Sequence, residues 1–246
     1  MAKCLVTGAS SGLGKYLREA FNAEGFDRSV GRVQEPRYDY IIHCGWDLKK
    51  NIPAGEGSDY LDQSQELTKK LLSIPHKKFI FMSTIDVYPK DSKEHTEDED
   101  INLHDVQGIY GLSKLLSEHI VKGSKEHLSL RLSSLLGKYT RYNTATKIAT
   151  GKDIGISRKS SFNFVTYEQV RDFIWMAIEK RLRGTYNLVA DTNVVVQDIL
   201  DAKNIEIKDG RYVYQTGLIS PKKLCSKAGD LTKNSLVNYE TWSSKL

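Results

Sequence analysis

A glycine-rich turn close to the N-terminus constrains this chain more than any other feature of its sequence. The turn reads TGASSGLG from Thr7 and lies between a strand predicted over Lys3–Thr7 and a helix predicted over Leu13–Glu24. Its glycines would let the backbone turn tightly, approach a pyrophosphate closely and pack the helix against the strand. They are Gly8, Gly12 and Gly14. The free N–H groups at the start of the helix would then face phosphate oxygens.

A tight strand-to-helix connection without a ligand is the other interpretation of such a turn. Its position directly after the first predicted strand favours phosphate binding. A P-loop is disfavoured, because Ala9 stands in the place of its first glycine and Tyr16 follows Lys15 where Ser or Thr is required. The turn therefore favours a dinucleotide-type site.

Beyond the turn, β-rich runs alternate with helical segments along most of the chain. Strands are predicted over Asp27–Arg32, Tyr38–Cys44, Lys78–Ser83, His127–Ser133 and Thr185–Val189, and helices over Ser58–Ser73, Gln107–Lys122 and Phe173–Lys180. Such alternation is typical of an α/β fold, here a Rossmann-type, doubly wound parallel sheet with helices on both faces. Ligands of these sheets bind beyond the carboxyl ends of the strands.

The alternation weakens after about Gly137, and the tail from Asp191 is polar and irregular in its pattern. We therefore expect a dinucleotide-binding Rossmann domain over residues 1–136 and 163–190, and a small C-terminal substrate-binding region over residues 137–162 and 191–246. The acidic stretch Asp91–Asp100 (DSKEHTEDED) is predicted to be a solvated loop.

The composition disfavours several classes of protein. The 246 residues can form one sizeable core, and no apolar run approaches the roughly 20 residues that cross a membrane. Three widely spaced cysteines (Cys4, Cys44 and Cys225) show no metal-ligand spacing, so no metal is expected and a cytoplasmic location is favoured. The net charge of +5 favours an anionic partner. Because the basic residues are scattered and no nucleic-acid motif is present, a phosphorylated cofactor is expected rather than nucleic acid.

The end of the second predicted strand bears on the choice of cofactor. Folds that bind NAD usually place an acidic residue about 20 positions after the glycine turn, where it binds the ribose hydroxyls. Here the predicted strand ends with the segment SVGR at Arg32, and no carboxylate follows Asp27 within that strand. Arg32 would pair with the 2′-phosphate of NADP, so NADP is predicted and NAD is less favoured. A surface arginine on a short loop is the alternative.

Tyr110 and Lys114 lie four residues apart within a predicted helix, so their side chains share one face. Of the thirteen tyrosines, only Tyr110 is followed by a lysine at this spacing. A nearby ammonium stabilises a phenolate, so we expect Lys114 to lower the pKa of Tyr110 and make it a general acid or base. Ser83 and Thr84 stand at the end of the strand KFIFMS, where a hydroxyl can bind a substrate oxygen; a turn or cap role is the alternative.

The sequence resembles the extended short-chain dehydrogenase/reductase family, and within it the nucleotide-sugar epimerases, dehydratases and 4-keto reductases. VTGASSGLG is similar to the cofactor motif, FIFMSTIDVYP to FVYISSxxVYG, IYGLSKLLSEHIV to YGxSKxxxE, and LRLSSLLG to LRPSNVYG. YDYIIHCGW resembles the strand DVVIHLAA beside the cofactor, FNFVTYEQVRDFI resembles RDFVYVDDVA, and GTYNLVAD is similar to GVYNVG. The likeness covers about residues 1–190.

The resemblance implies roles for particular residues. Thr84, Tyr110 and Lys114 would be catalytic, and Asp86 and Asn163 would contact the substrate. Besides Arg32, the cofactor contacts would be Gly8, Ser10, Ser11, Gly12, Leu13, Gly14, Cys44, Gly45, Trp46, Ser83, Tyr110, Lys114 and Leu132.

Several positions depart from the family pattern. Dehydratases carry an Asp-Glu pair after the catalytic Thr, but Ile85 and Asp86 stand there, which disfavours sugar 4,6-dehydration. Leu132 replaces the usual proline after the arginine of LRP, and Ser64 replaces the helix asparagine that supports the tyrosine. Glu168–Gln169 replaces the usual aspartate pair. The substrate pocket is therefore expected to be a divergent one.

The expected function is NADP-dependent reduction of a carbonyl, and the resemblance suggests a nucleotide-linked 4-keto-6-deoxy sugar as substrate. One alternative is a nucleotide-sugar epimerase that retains NAD(P); another is a dinucleotide-sensing regulator on the same fold. An intact set of Thr84, Tyr110 and Lys114 argues against the sensor, because a sensor needs no proton relay. By family analogy, the helices Ser58–Ser73 and Gln107–Lys122 would pair across the two-fold axis of a homodimer; solvated helix faces are the alternative.

Overall fold

The computed structural model describes residues 2–27, 36–47, 52–208 and 210–246, with a six-stranded parallel sheet at its centre. In chain order the strands are β1 (Cys4–Thr7), β2 (Glu24–Phe26), β3 (Tyr38–His43), β4 (His76–Thr84), β5 (Glu94–His95), β6 (His127–Leu132), β7 (Ser134–Leu136), β8 (Ser161–Phe162), β9 (Phe164–Thr166), β10 (Gly184–Leu188), β11 (Val194–Val195) and β12 (Leu218–Ile219). The α-helices are α1 (Gly12–Ala20), α2 (Gly57–Leu72), α3 (Ile109–Lys122), α4 (Thr144–Ala149), α5 (Tyr167–Glu179), α6 (Val196–Lys203), α7 (Lys222–Ala228) and α8 (Ser235–Ser243).

The central sheet has the strand order β10-β6-β4-β3-β1-β2, and every neighbouring pair runs parallel. The chain forms β2 on one side of β1 and then places β3 on the other side. This reversal is the topological switch point of a doubly wound sheet, where ligands bind beyond the carboxyl ends of the strands. The predicted Rossmann-type α/β fold is confirmed.

The two faces of the sheet are covered by different helices. Val6 and Ile42 belong to the apolar cluster that includes residues of α1 and α5. Leu5 and Ile41, their neighbours in sequence, belong to the cluster that includes residues of α2 and α3. In β4 the whole run Lys78–Thr84 is buried, as expected of a parallel strand covered on both faces.

A third apolar cluster lies outside the central sheet. Its residues come from two parts of the chain, 136–164 and 194–242, and include Phe164, Tyr239 and Trp242. The Trp242 indole N–H donates to the Gly137 carbonyl at 3.2 Å, which ties the two parts together. The tail from Asp191 was predicted to be irregular, but it forms α6, α7 and α8. These helices are short and bury isolated aromatic and aliphatic residues, so their sequences show no long apolar period.

The ends of α1 and β2 differ from the predicted bounds. α1 ends at Ala20 rather than near Glu24, because Asn22 adopts a left-handed backbone conformation with φ of +45°. The strand β2 then occupies Glu24–Phe26. The strand predicted over Asp27–Arg32 falls almost entirely outside the described residues.

The helix α5 begins at Tyr167, well before the predicted start at Phe173. Thr166 and Gln169 form a capping box, in which each side chain accepts a hydrogen bond from the other residue's backbone N–H. The sequence TYEQ carries this signal, so the earlier start could have been predicted.

The acidic stretch Asp91–Asp100 is only partly the solvated loop that was predicted. β5 pairs with β12, and His95 is buried with its ring stacked on Tyr88 at 5.1 Å between centres. The Glu97 carboxylate accepts a hydrogen bond from the Asn187 N–H at 2.7 Å. The high charge of the stretch conceals one buried ring and a two-residue strand. In the ranges described above, no helix combines the length and the hydropathy needed to cross a membrane.

Candidate active site

The glycine turn lies at the carboxyl end of β1, at the switch point of the sheet. Gly8 has a φ of +66°, and a Cβ on it would lie 2.8 Å from the Cα of Gly45. A Cβ on Gly14 would lie 2.2 Å from the Gly8 carbonyl oxygen. Both positions accept only glycine without a backbone shift, so the turn packs tightly against the residues that follow β3 and against α1.

Thr7 joins the ends of β1 and β3. Its hydroxyl accepts a hydrogen bond from the Gly45 N–H at 2.8 Å and lies 2.7 Å from Nδ1 of His43. Burial lowers the pKa of His43 to about 3, so the ring is neutral. Burial also raises the pKa of the Cys44 thiol to about 12, so no thiolate stands beside the turn at neutral pH.

The predicted catalytic residues meet at the carboxyl end of β4. Thr84 is the last residue of that strand, and Tyr110 lies in the first turn of α3 with its hydroxyl beside that of Thr84. A Cβ on Gly111 would lie 2.2 Å from the carbonyl oxygen of Asp86. The glycine of IYGLSK therefore allows α3 to approach the strand end closely enough for the two hydroxyls to meet.

Lys114 lies one turn further along α3, and only 3% of it is exposed. Its ammonium donates a hydrogen bond to the Met82 carbonyl at 2.7 Å and lies 3.7 Å from the centre of a Trp46 ring. Burial lowers the pKa of Lys114 to about 7, and the nearby Glu118 carboxylate opposes this shift. The residue therefore changes charge near neutral pH.

The pKa of Tyr110 lies above its ordinary value, which is the opposite of the predicted direction. Burial is the main cause, the nearby Asp86 and Tyr60 raise the pKa further, and the hydrogen bond with Thr84 lowers it. The Lys114 ammonium is 6.0 Å from the centre of the Tyr110 ring and is directed to the Met82 carbonyl. The phenol is protonated at neutral pH, which is the form that a proton donor requires.

A buried network supports this end of the site. Glu118, on α3, forms an ion pair with Arg131 of β6 at 2.8 Å, and neither side chain is more than 2% exposed. Arg131 also donates to the Tyr88 hydroxyl at 2.8 Å. The hydroxyl of Ser83, predicted to contact a cofactor, donates to Glu118 and is engaged in this network.

Other predicted site residues are spread along the same edge. Leu132 ends β6 and is buried in the apolar core. The Asn163 amide bonds the backbone of Ala190, accepting from its N–H at 2.7 Å and donating to its carbonyl at 3.0 Å. Asn163 therefore holds the loop after β10. Arg32 lies outside the described residues.

Three residues that no motif marks surround Tyr110 and Asp86. Tyr60, on α2, lies near the Tyr110 hydroxyl and donates to the Asp47 carbonyl at 2.7 Å. Lys90 donates to the Asp86 carboxylate at 3.1 Å. Tyr214, from the C-terminal tail, has its pKa raised by burial and by Asp86. Their distance from one another in sequence explains why the motifs do not reveal them.

The residues present fit a dinucleotide. The glycines leave no side chain over the start of α1, and the first turn of that helix contains no acidic residue that would repel a phosphate. At the other end, the hydroxyl of Ser133, directly after β6, is buried and has no hydrogen-bond partner among the described residues. The same part of the chain contains no group of three or more His, Cys, Asp or Glu side chains placed to hold a metal.

Solved structures with the same fold include both reductases and epimerases of nucleotide sugars. One is the dTDP-4-dehydrorhamnose reductase of Bacillus anthracis in complex with NADP, with 20% identity, coverage of 100% of this chain and 98% of that one, and a TM-score of 0.80. A second is the UDP-N-acetylglucosamine 4-epimerase of Methanobrevibacter ruminantium in complex with UDP-N-acetylmuramic acid, with 16% identity, coverage of 100% of this chain and 99% of that one, and a TM-score of 0.79. A third is the UDP-glucuronic acid 4-epimerase of Bacillus cereus in complex with NAD, with 17% identity, coverage of 98% of this chain and 95% of that one, and a TM-score of 0.77.

The sequence itself matches a known family over most of the central sheet. No curated protein sequence matches the chain. The model of the NAD dependent epimerase/dehydratase family matches residues 27–188, which include the strand ends that carry Thr84 and the helix that carries Tyr110 and Lys114. Because this match extends over more than half of the sequence, the chain belongs to the NAD dependent epimerase/dehydratase family.

Proposed function

We propose that this protein is an NADP-dependent reductase that converts the ketone of a nucleotide-linked 4-keto-6-deoxy sugar into an alcohol. The observation that carries the proposal is the neighbouring pair of hydroxyls on Thr84 and Tyr110, at the carboxyl edge of a doubly wound sheet. A ketone oxygen bound by this pair would receive a proton from Tyr110 and a hydrogen bond from Thr84.

In this proposal the cofactor lies across the switch point of the sheet. Gly8, Gly12 and Gly14, together with Ser10 and Ser11, would hold the pyrophosphate at the start of α1. When bound, a reduced nicotinamide supplies a hydride to a carbonyl carbon.

The residues after β3 would line the path between the two ends of the cofactor site. These residues are Cys44, Gly45 and Trp46. Lys114, held between the Met82 carbonyl and the Trp46 ring, would contribute positive potential at the nicotinamide end.

Tyr110 is the proposed proton donor. Its pKa, raised by burial, leaves the phenol protonated before the reaction, and the neighbouring Thr84 hydroxyl would orient the Tyr110 hydroxyl. Asp86, bonded to Lys90 at 3.1 Å, would accept a hydrogen bond from a substrate hydroxyl. This division places the acid at the reacting oxygen and a carboxylate where a sugar hydroxyl can bind.

NADP is proposed over NAD because no carboxylate follows Asp27 before Arg32, whose guanidinium suits a 2′-phosphate. Of the similar structures named above, one holds NADP and another holds NAD, so the preference rests on this stretch of sequence.

The proposed cofactor domain is residues 1–136 and 163–190. Residues 137–162 and 191–246, which contribute most of the third apolar cluster, are the proposed substrate-binding region. A homodimer formed through α2 and α3 stays a prediction.

The test is oxidation of NADPH and of NADH by the wild-type protein across a panel of nucleotide-linked 4-keto-6-deoxy sugars. We expect stoichiometric oxidation with at least one sugar, and faster turnover with NADPH. Interconversion of a UDP-sugar and its 4-epimer without added cofactor, and without net oxidation of NADPH by any keto sugar, would favour the epimerase that similar structures exemplify. Binding of a dinucleotide without turnover of any sugar would favour the regulator.

A further inference from the structure

A segment that starts at the last glycine of LRLSSLLG and otherwise lies outside the predicted cofactor motifs passes directly against the glycine turn. It runs from Gly137 to Asn143, between β7 and α4, and is called here the crossing segment. Its Tyr139 hydroxyl donates to the Glu19 carboxylate of α1 at 2.8 Å, and the Lys15 ammonium lies 4.2 Å from the centre of the Tyr139 ring. The crossing segment is thus attached to the helix whose N-terminus faces the cofactor site.

Arg141 brings the crossing segment to the turn itself. Its Nη2 donates a hydrogen bond to the Ser11 hydroxyl at 2.7 Å. Ser11 is the N-cap residue of α1, and its side chain makes no capping hydrogen bond to that helix. The guanidinium therefore stands at the entrance to the free N–H groups of the first turn.

The position that a side chain on Gly12 would take shows what Arg141 faces. Gly12 has a φ of +56°, and the nearest groups to a Cβ on it would be the Tyr167 hydroxyl at 3.5 Å and Arg141 Nε at 3.8 Å. In dinucleotide folds the missing side chain of such a glycine is what lets a pyrophosphate approach the backbone. Arg141 and Tyr167 border the space that Gly12 leaves open.

Local packing holds the backbone that leads to Arg141. A Cβ on Gly137 would lie 2.2 Å from an atom of the Tyr167 ring, so the segment passes that ring at backbone distance. The Gly137 N–H donates to the Thr140 hydroxyl at 2.6 Å, which tightens the turn before Arg141. The fold therefore holds the backbone before Arg141 in place, while the Arg141 side chain is exposed and is positioned by its hydrogen bond to Ser11.

We propose that Arg141 binds a phosphate group of the dinucleotide, as a second-segment contact that the cofactor motifs do not contain. The inference rests on the proposed function, since it requires a dinucleotide at the glycine turn. An arginine presents five N–H donors in a planar fork, and Ser11 is the one hydrogen-bond acceptor of Arg141 among the described residues, so donors remain for phosphate oxygens. The phosphate is either the pyrophosphate or the 2′-phosphate, and the two are separable by choice of ligand.

The experiment is calorimetric titration of wild type, Arg141→Gln and Lys138→Gln with ADP-ribose and with NADP⁺. ADP-ribose contains the pyrophosphate but neither the 2′-phosphate nor the nicotinamide. Lys138 is the matched control, because it is a cation of the same segment that is 67% exposed in its side chain and faces Glu19 at 3.8 Å rather than the turn. Urea unfolding of each variant reports whether the fold is intact.

We expect Arg141→Gln to weaken binding about 10- to 100-fold, with an unchanged urea midpoint, while Lys138→Gln stays within about threefold of wild type. Loss for both ligands identifies the pyrophosphate as the group bound, and loss for NADP⁺ alone identifies the 2′-phosphate. Wild-type affinity of Arg141→Gln for both ligands would overturn the inference and leave the proposed function standing. Failure of the wild type to bind either ligand would overturn both.

Discussion

The two ends of the candidate site are held in place by different kinds of contact. At the glycine turn the contacts are between backbone atoms, so that a single added carbon at Gly14 would meet the Gly8 carbonyl at 2.2 Å. At the Tyr110 end they are made by buried charged side chains, such as Glu118 with Arg131 and Lys114 with the backbone carbonyl of Met82. A close backbone contact limits which residue fits at one position, whereas the stability of a buried charge depends on all of the groups around it.

The largest expected effect is on the end held by side chains. Glu118→Gln keeps the size of the residue but leaves the buried Arg131 without its carboxylate, so we expect a loss of about 3–5 kcal/mol in the free energy of unfolding. Urea unfolding measures this loss. Glu66→Gln is the control, because its ion pair with Lys69 is exposed, at 70% and 54%, and should contribute less than about 1 kcal/mol. Equal losses for the two variants would contradict the contrast between buried and exposed pairs.

The next effect concerns the end held by the backbone. Gly14→Ala adds one methyl group against the Gly8 carbonyl, and relief requires a shift of α1 or of the turn, so we expect destabilisation of about 3 kcal/mol. Gly55→Ala is the matched substitution, because nothing lies within 4 Å of a Cβ at that position. Its effect should stay within about 1 kcal/mol. Thermal and urea unfolding of the two variants would show whether close backbone contact is the cause, and a Gly14→Ala protein as stable as the control would exclude it.

A smaller effect follows from the charge state of Lys114. Its pKa in the folded protein is lowered to about 7, so between that pH and its ordinary value the unfolded chain binds the extra proton and stability rises with pH. Lys114→Met removes this dependence. The difference in unfolding free energy between Lys114→Met and wild type should therefore shift by about 2 kcal/mol, in favour of wild type, from about pH 6.5 to about pH 9.

The control for this measurement is the exposed Lys122, which ends the same helix. Lys122→Met should differ from wild type by a nearly constant amount over the same pH range. A Lys114→Met difference that is equally constant would mean that Lys114 keeps its proton in the folded protein, and would remove the electrostatic part of the account.

The same contrast explains how much the sequence could predict. The order of strands and helices was predictable because a parallel sheet requires continuous apolar runs, and the glycines because few other residues fit a tight turn. The start of α5 was predictable from the capping box of Thr166 and Gln169 but was missed. The pair Tyr110 and Lys114 was correctly predicted to share a helix, four residues apart.

The electrostatics of the site were not predictable from spacing. The prediction that Lys114 lowers the pKa of Tyr110 was wrong, because burial together with Asp86 and Tyr60 decides the pKa of Tyr110. These groups come from a strand end and from another helix, so no local motif contains them. Arg141 likewise reaches the glycine turn from a segment far along the chain, so no local motif contains this contact either.

The central claim is that Tyr110 gives a proton to the substrate oxygen, and Tyr110→Phe tests it most directly. The substitution keeps the ring and removes only the hydroxyl that lies beside Thr84. With a keto sugar that wild type reduces, we predict that kcat falls about 10²- to 10⁴-fold, while the Kd for NADPH measured by calorimetry changes by less than about threefold. Turnover close to that of wild type, with NADPH bound equally well, would contradict the account.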